Sequence, residues 1–91
     1  MAGDHQAEGA PSAQLDGSDL TIAVVSARWN SHITLRLLDG VRRGLADAGV
    51  PEANVVEDWV PGAFELPLAA KTWALSGRVD AVVCLGCVIR G

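Results

Sequence analysis

The sequence has few basic residues and no cluster of them: seven lysines and arginines are scattered among eleven acids, for a net charge of −4. With a pI near 4.8, the chain lacks the electrostatic footprint of a nucleic-acid or anionic-membrane binder. No uninterrupted apolar stretch is long enough to span a bilayer. The first residues carry Asp4, His5 and Glu8, with neither the basic start nor the apolar centre of a secretory signal. The expected compartment is therefore the cytoplasm. The sequence also contains no G-x-G-x-x-G, no P-loop and no nucleophile elbow, which removes the common dinucleotide, phosphate-cradle and serine-hydrolase signatures.

Cysteine is scarce too. Cys84 and Cys87 form one C-x-x-C spacing, which raises a redox pair or half a zinc site. Against both, Val79-Asp80-Ala81-Val82-Val83-Cys84-Leu85 reads as a buried strand. Residues three apart on an extended chain point to opposite faces, so the sulfurs should diverge. No second Cys or His pair completes a metal site. Both thiols are expected to be reduced and structural, with no metal, while Cys87 is free to line a site through its backbone.

What the sequence does have is apolar residues, 49% over 91 positions, which allow one domain at most. A chain this short buries proportionately little surface. Residues 1–18, rich in Gly, Ala, Ser, Asp and Gln, show no hydrophobic period and read as a flexible arm, either plainly disordered or docked on a neighbour. Leu20 to Ser26 is a first strand whose nearly continuous apolar character suits a parallel strand covered on both faces. A helix follows, with Asn30 or Ser31 as N-cap. Thr34, Leu37, Leu38, Val41, Leu45 and Ala48 form its apolar face, and Asp39–Arg43 is an acid-first i,i+4 pair. Gly49 and Pro51 stop it.

A second strand from about Asn54 to Val60 runs into Val60-Pro61-Gly62-Ala63-Phe64-Glu65-Leu66-Pro67, the stretch on which the chain turns. Pro61 and Gly62 break the extended run. Glu65 and Pro67 suit the first turn of a second helix, the acid for its charge and the proline for its missing N–H. Leu66, Ala69, Ala70, Trp73 and Ala74 make that helix's apolar face, and Gly77 lies near its end. A third strand spans about Val79 to Leu85.

Strand-helix-strand-helix-strand with short links predicts an α/β fold with a parallel sheet and right-handed crossovers. In such sheets ligands bind at the C-terminal ends of the strands. Three loops belong to that edge: Arg28-Trp29-Asn30, Pro61 to Glu65, and Gly86 to Arg90. Trp29 either stacks on a planar ring or staples the helix start against Ile33 or Leu37. Trp59 and Trp73 fit core positions, and the Phe64 ring is expected to pack. Glu65 either accepts from sugar-like hydroxyls or serves helix stability alone. His32 reads as a solvent-facing or capping residue, His5 as inert, and Arg90 as a surface group more readily than an anion clamp. Residue chemistry by itself reaches a small-molecule-binding α/β fold.

Trp29-Asn30, Val60 to Pro67, and Leu85-Gly86-Cys87-Val88-Ile89-Arg90-Gly91 together resemble the lumazine synthase family of riboflavin biosynthesis, over about residues 20–91. Ile33-Thr34 through Leu37-Leu38-Asp39-Gly40 is similar as well. The resemblance implies a three-layer α/β/α domain with a parallel sheet in flavodoxin-like order, of which residues 19–91 carry an incomplete part. It implies cofactor-free condensation of 5-amino-6-ribitylamino-pyrimidinedione with 3,4-dihydroxy-2-butanone 4-phosphate to give 6,7-dimethyl-8-ribityllumazine. By position, Trp29 would stack on the pyrimidine, and Ala63, Phe64 and Glu65 would hold the ribityl chain and ring edge. Cys87, Val88 and Ile89 would bind the pyrimidine edge, largely through backbone groups, with Asn30 assisting.

The family's proton-transferring histidine and phosphate-gripping arginine would lie beyond Gly91, so no catalytic residue is assigned here, and His32 is no substitute. The expectation is a partial sequence of a longer enzyme, with the 91 residues alone inactive and prone to aggregate. The resemblance also implies a homo-oligomer, a pentamer or an icosahedral shell, and admits riboflavin synthase as a protein partner. The competing expectation is a non-catalytic ligand-binding or assembly module of the same fold.

Overall fold

Six residues without a charge, Ile22–Ala27, form strand β1, and every one of them is buried. In the computed structural model, which describes residues 15–89, this strand is the centre of a three-stranded parallel sheet. Helix α1 (Ser31–Asp47) leads to β2 (Val55–Val60); helix α2 (Leu66–Leu75) leads to β3 (Ala81–Leu85). The sheet order is β2-β1-β3. Ile22 stands beside Val55 on one side and Ala81 on the other, in register with both. The first strand in the middle is the flavodoxin-like arrangement.

The first crossover runs from β1 out to β2 and the second runs back from β2 past β1 to β3, so right-handedness puts their helices on opposite faces. Side chains agree. Leu38 of α1 packs with Ile22, Val24 and Val50, joined by Val41, Leu45, Val55, Trp59, Val83 and Leu85. On the other face, Trp73 of α2 donates from Nε1 to Oδ2 of Asp58 at 3.0 Å. At the opposite end of the sheet, Thr21 and Asp80 are doubly tied: the Thr21 N–H donates to the Asp80 carboxylate and the Asp80 N–H to the Thr21 carbonyl, each at 2.8 Å.

Helix boundaries follow the sequence. Gly49 and Gly77, with φ of 88° and 72°, end α1 and α2 in the left-handed region that glycine tolerates. The predicted Asp39–Arg43 pair forms at 2.6 Å. Arg42 adds a second ion pair across to Glu57 on β2, donating from Nε at 2.6 Å and Nη2 at 2.7 Å. Gly17, inside the stretch read as an arm, is buried: its N–H donates to the Ala48 carbonyl at 2.7 Å, and an added Cβ would meet Val50 Cγ2 at 2.6 Å. His5 and residues 1–14, together with Arg90 and Gly91, lie outside the described residues.

Several burial expectations are corrected. The run holding Cys84 is not a buried strand; β3 is an edge of the described sheet, and Cys84 is exposed. Leu37 is 43% exposed, because it lies about 100° around the helix from Leu38. Ala74 is exposed at the end of the α2 apolar face. Trp59 and Trp73 are only half-buried, since both lie at β2, an edge of the described sheet, one on each face.

Candidate functional site at the C-terminal edge of the sheet

Parallel strands carry their C-terminal ends to one edge, and the three expected loops meet there. The β1–β2 ladder continues past the strands: the Arg28 N–H donates to the Val60 carbonyl at 2.8 Å, and the Trp29 N–H to the Pro61 carbonyl at 3.0 Å. The first and second loops are thereby joined. Thr34, fully buried, donates from Oγ1 to the Ala27 carbonyl at 3.0 Å, fastening α1 to the end of β1.

Asn30 is the N-cap of α1, but through its backbone. It adopts φ 59°, ψ 47° with no side-chain cap hydrogen bond, and its carbonyl accepts from the Ile33 and Thr34 N–H groups at 2.9 and 3.2 Å. Asparagine is among the few residues that visit this left-handed conformation readily. Its Nδ2 is buried without a hydrogen-bond partner.

The second loop passes through a 3₁₀ turn, Ala63–Glu65, into α2. The Gly62 N–H donates to Glu65 Oε1 at 2.8 Å, and the Glu65 N–H donates back to the Gly62 carbonyl at 3.2 Å. This is the return half of a capping box; glycine has no side chain to provide the other half. Glu65 thus serves the turn with one oxygen, Oε1. Pro67 stands in the first turn of α2, as its missing N–H permits.

Trp29 is 65% exposed at this edge, which fits a stacking platform better than a staple. Phe64 is 98% exposed; the expected packing of its ring does not occur, since the 3₁₀ turn directs it outward. Ala63 and Cys87 are half-buried, and Val88 and Ile89 are exposed at 84% and 59%. At Gly86 an added Cβ would come within 2.9 Å of Leu66 Cδ1, with Ala63 and Ala27 close behind. Glycine there lets the third loop begin hard against Leu66 and Ala63 of the second-loop region and Ala27 at the end of β1. His32 is exposed on the first turn of α1, away from these groups in the chain.

Two grooves lie elsewhere. One of about 560 Å³ is lined by Arg42, Leu45, Val50, Glu52, Val55 and Glu57, beside the outer edge of β2. Another of about 390 Å³ lies between α2 and the start of β3. Neither includes a residue of the three loops. The loop edge is open, with the Trp29 ring and the Glu65 carboxylate exposed along it. Among the described residues no group of three or more His, Cys, Asp or Glu could hold a metal, and no helix is long and apolar enough to cross a membrane.

The model of the 6,7-dimethyl-8-ribityllumazine synthase family matches residues 19–91, most of the chain. This chain belongs to the lumazine synthase family. Membership connects it with riboflavin biosynthesis, small-molecule substrates and oligomeric assembly. It also accounts for all three loops at once, since the matched residues span each of them. One feature of this lumazine synthase edge escaped the sequence pattern: Arg28, whose Cζ stands 5.8 Å from the centroid of the Trp59 ring. Its only sequence signal is a cation placed between a buried strand end and Trp29.

Proposed function

We propose that this chain supplies the pyrimidine- and ribityl-binding half of a lumazine synthase site. The reaction is condensation of 5-amino-6-ribitylamino-pyrimidinedione with 3,4-dihydroxy-2-butanone 4-phosphate to 6,7-dimethyl-8-ribityllumazine, in the cytoplasm. The observation that carries the reading is the joined pair of loops, which holds an exposed Trp29 ring and the free oxygen of Glu65 on one edge. Trp29 gives a face for a planar heterocycle. Glu65 Oε2 accepts from ribityl hydroxyls, and the backbone of Cys87, Val88 and Ile89 meets the polar edge of the ring. Ala63 keeps the approach low, and Phe64 covers the ribityl chain from the solvent side.

These residues bind and orient; they hold the amine where a carbonyl can reach it. No group among 15–89 is placed to shuttle the proton, so proton transfer and the phosphate fall to residues outside this set. In the same reading residues 19–91 belong to a domain that works as a pentamer or larger shell. Fluorescence titration with 6,7-dimethyl-8-ribityllumazine tests the site. Saturable binding that Trp29→Ala weakens about ten-fold or more supports it, and an unchanged affinity would overturn it. Lumazine formation from the two substrates separates an enzyme from a module that binds without turnover.

A further inference from the structure

Trp29 offers its ring to solvent, so its own packing does little to fix it. The neighbours on both sides do more. After it, Asn30 turns the chain through a left-handed conformation. Before it, Arg28 reaches across to β2 and lies within cation–π distance of the Trp59 ring, at 5.8 Å. Trp59 is an anchor of a different kind: it stands in register with Ser26 of β1 and packs against the core beneath α1. Just beyond Trp59 run the two backbone hydrogen bonds that join the loops, Arg28 N to Val60 O and Trp29 N to Pro61 O. Peripheral bonds of this kind open easily when nothing covers them.

We infer that the Arg28–Trp59 cation–π contact is a positioning device: it clamps the first loop onto the second and sets the Trp29 platform before a ligand arrives. Trp59, which the sequence pattern assigns to the core alone, then has a second task. Arg28 acts through Trp29 and not on the ligand, and the weakly hydrated guanidinium suits a contact with the Trp59 ring better than a strongly hydrated ammonium does. The inference rests on the reading of Trp29 as the pyrimidine-stacking residue.

The test follows hydrogen exchange of the Trp29 amide in the wild type, Arg28→Ala, Trp59→Leu and the double variant, with lumazine affinity measured in parallel. Arg28 is exposed, so its alanine variant leaves the core intact. The expected result is exchange about five-fold faster at Trp29 in Arg28→Ala, with the Val24 amide unchanged. Trp59→Leu has a similar effect at Trp29, and the double variant is no faster than either single, as a shared interaction requires. Lumazine affinity falls in step, and Arg28→Lys restores little of it. An unchanged Trp29 amide in Arg28→Ala overturns the inference, as does full rescue of affinity by Arg28→Lys with no effect of Trp59→Leu, which would make Arg28 a direct charge contact. If Trp29→Ala leaves lumazine affinity untouched, the stacking reading fails by itself, while amide exchange still decides whether the clamp exists.

Discussion

Val25 of β1 and Cys84 of β3 stand side by side on the same face of the sheet, in register. Val25 is fully buried; Cys84 is exposed. Their strands have nearly the same composition, Ile-Ala-Val-Val-Ser-Ala against Ala-Val-Val-Cys-Leu. The difference is place. β1 has a partner strand on each side and a helix on each face, whereas β3 is an edge of the described sheet and α2 shades it only in part. An apolar run therefore announces a strand, and the neighbours decide how deeply it is buried.

The sharpest way to break this contrast is a charge. Val25→Asp buries a carboxylate without a partner and is expected to cost at least about 4 kcal/mol, leaving little folded protein. Cys84→Asp should stay within about 1 kcal/mol. Urea unfolding followed by far-ultraviolet circular dichroism compares the two. A large loss at Cys84 would show that the outer edge of β3 is covered in solution. Next in size is truncation above each strand: Leu38→Ala, over β1, should cost about 2–5 kcal/mol, while Leu75→Ala, 75% exposed at the end of α2, should change stability by roughly 0.5 kcal/mol or less.

The contrast continues into the loops. Beyond β1 the chain is held in one conformation by Asn30, so Asn30→Ala should cost about 1 kcal/mol and Asn30→Gly almost nothing. Val88→Ala, in the open loop beyond β3, should leave the unfolding midpoint where it is.

A small electrostatic effect concerns the other edge. Hydrogen bonds from Arg42 hold the Glu57 carboxyl below its usual range, against a lesser opposing effect of burial. A depressed carboxyl stabilises the fold above its unfolded pKa, and the contribution disappears as pH falls through the folded pKa. Glu57→Gln should therefore lose a little stability at neutral pH and none once both forms are protonated. A denaturation series run from neutral pH down into the carboxylate range measures the convergence.

Local chemistry made much of this readable beforehand. Gly49 and Gly77 end their helices, Pro61-Gly62 turns the chain, and the alternation of strands and helices delivers three loops to one edge. Trp29, Ala63, Glu65 and Cys87 were legible as site candidates because each follows a strand end. What was hidden depends on contacts distant in sequence. The outward Phe64 ring follows from a 3₁₀ turn between strand and helix, and the exposed Cys84 from strand order. Leu37 shows the limit of periodicity, since a six-residue apolar face is wider than the stripe that β1 and its neighbours can cover. The Arg28–Trp59 contact joins two residues that only the parallel register makes neighbours.

That register also fixes an order of events. Of the three described strands the central one leaves the ribosome first, and both of its partners come later: Ile22 waits for Val55, and then for Ala81, before its backbone is satisfied on both sides. Neither described partner can shelter it as a hairpin meanwhile, because parallel neighbours need a whole crossover helix between them. Folding of such a topology is slow, and the nascent chain carries its most apolar segment exposed for longest. The residue run that makes the finished sheet coherent is thus the one most dependent on chaperones or on rapid docking of α1 during synthesis.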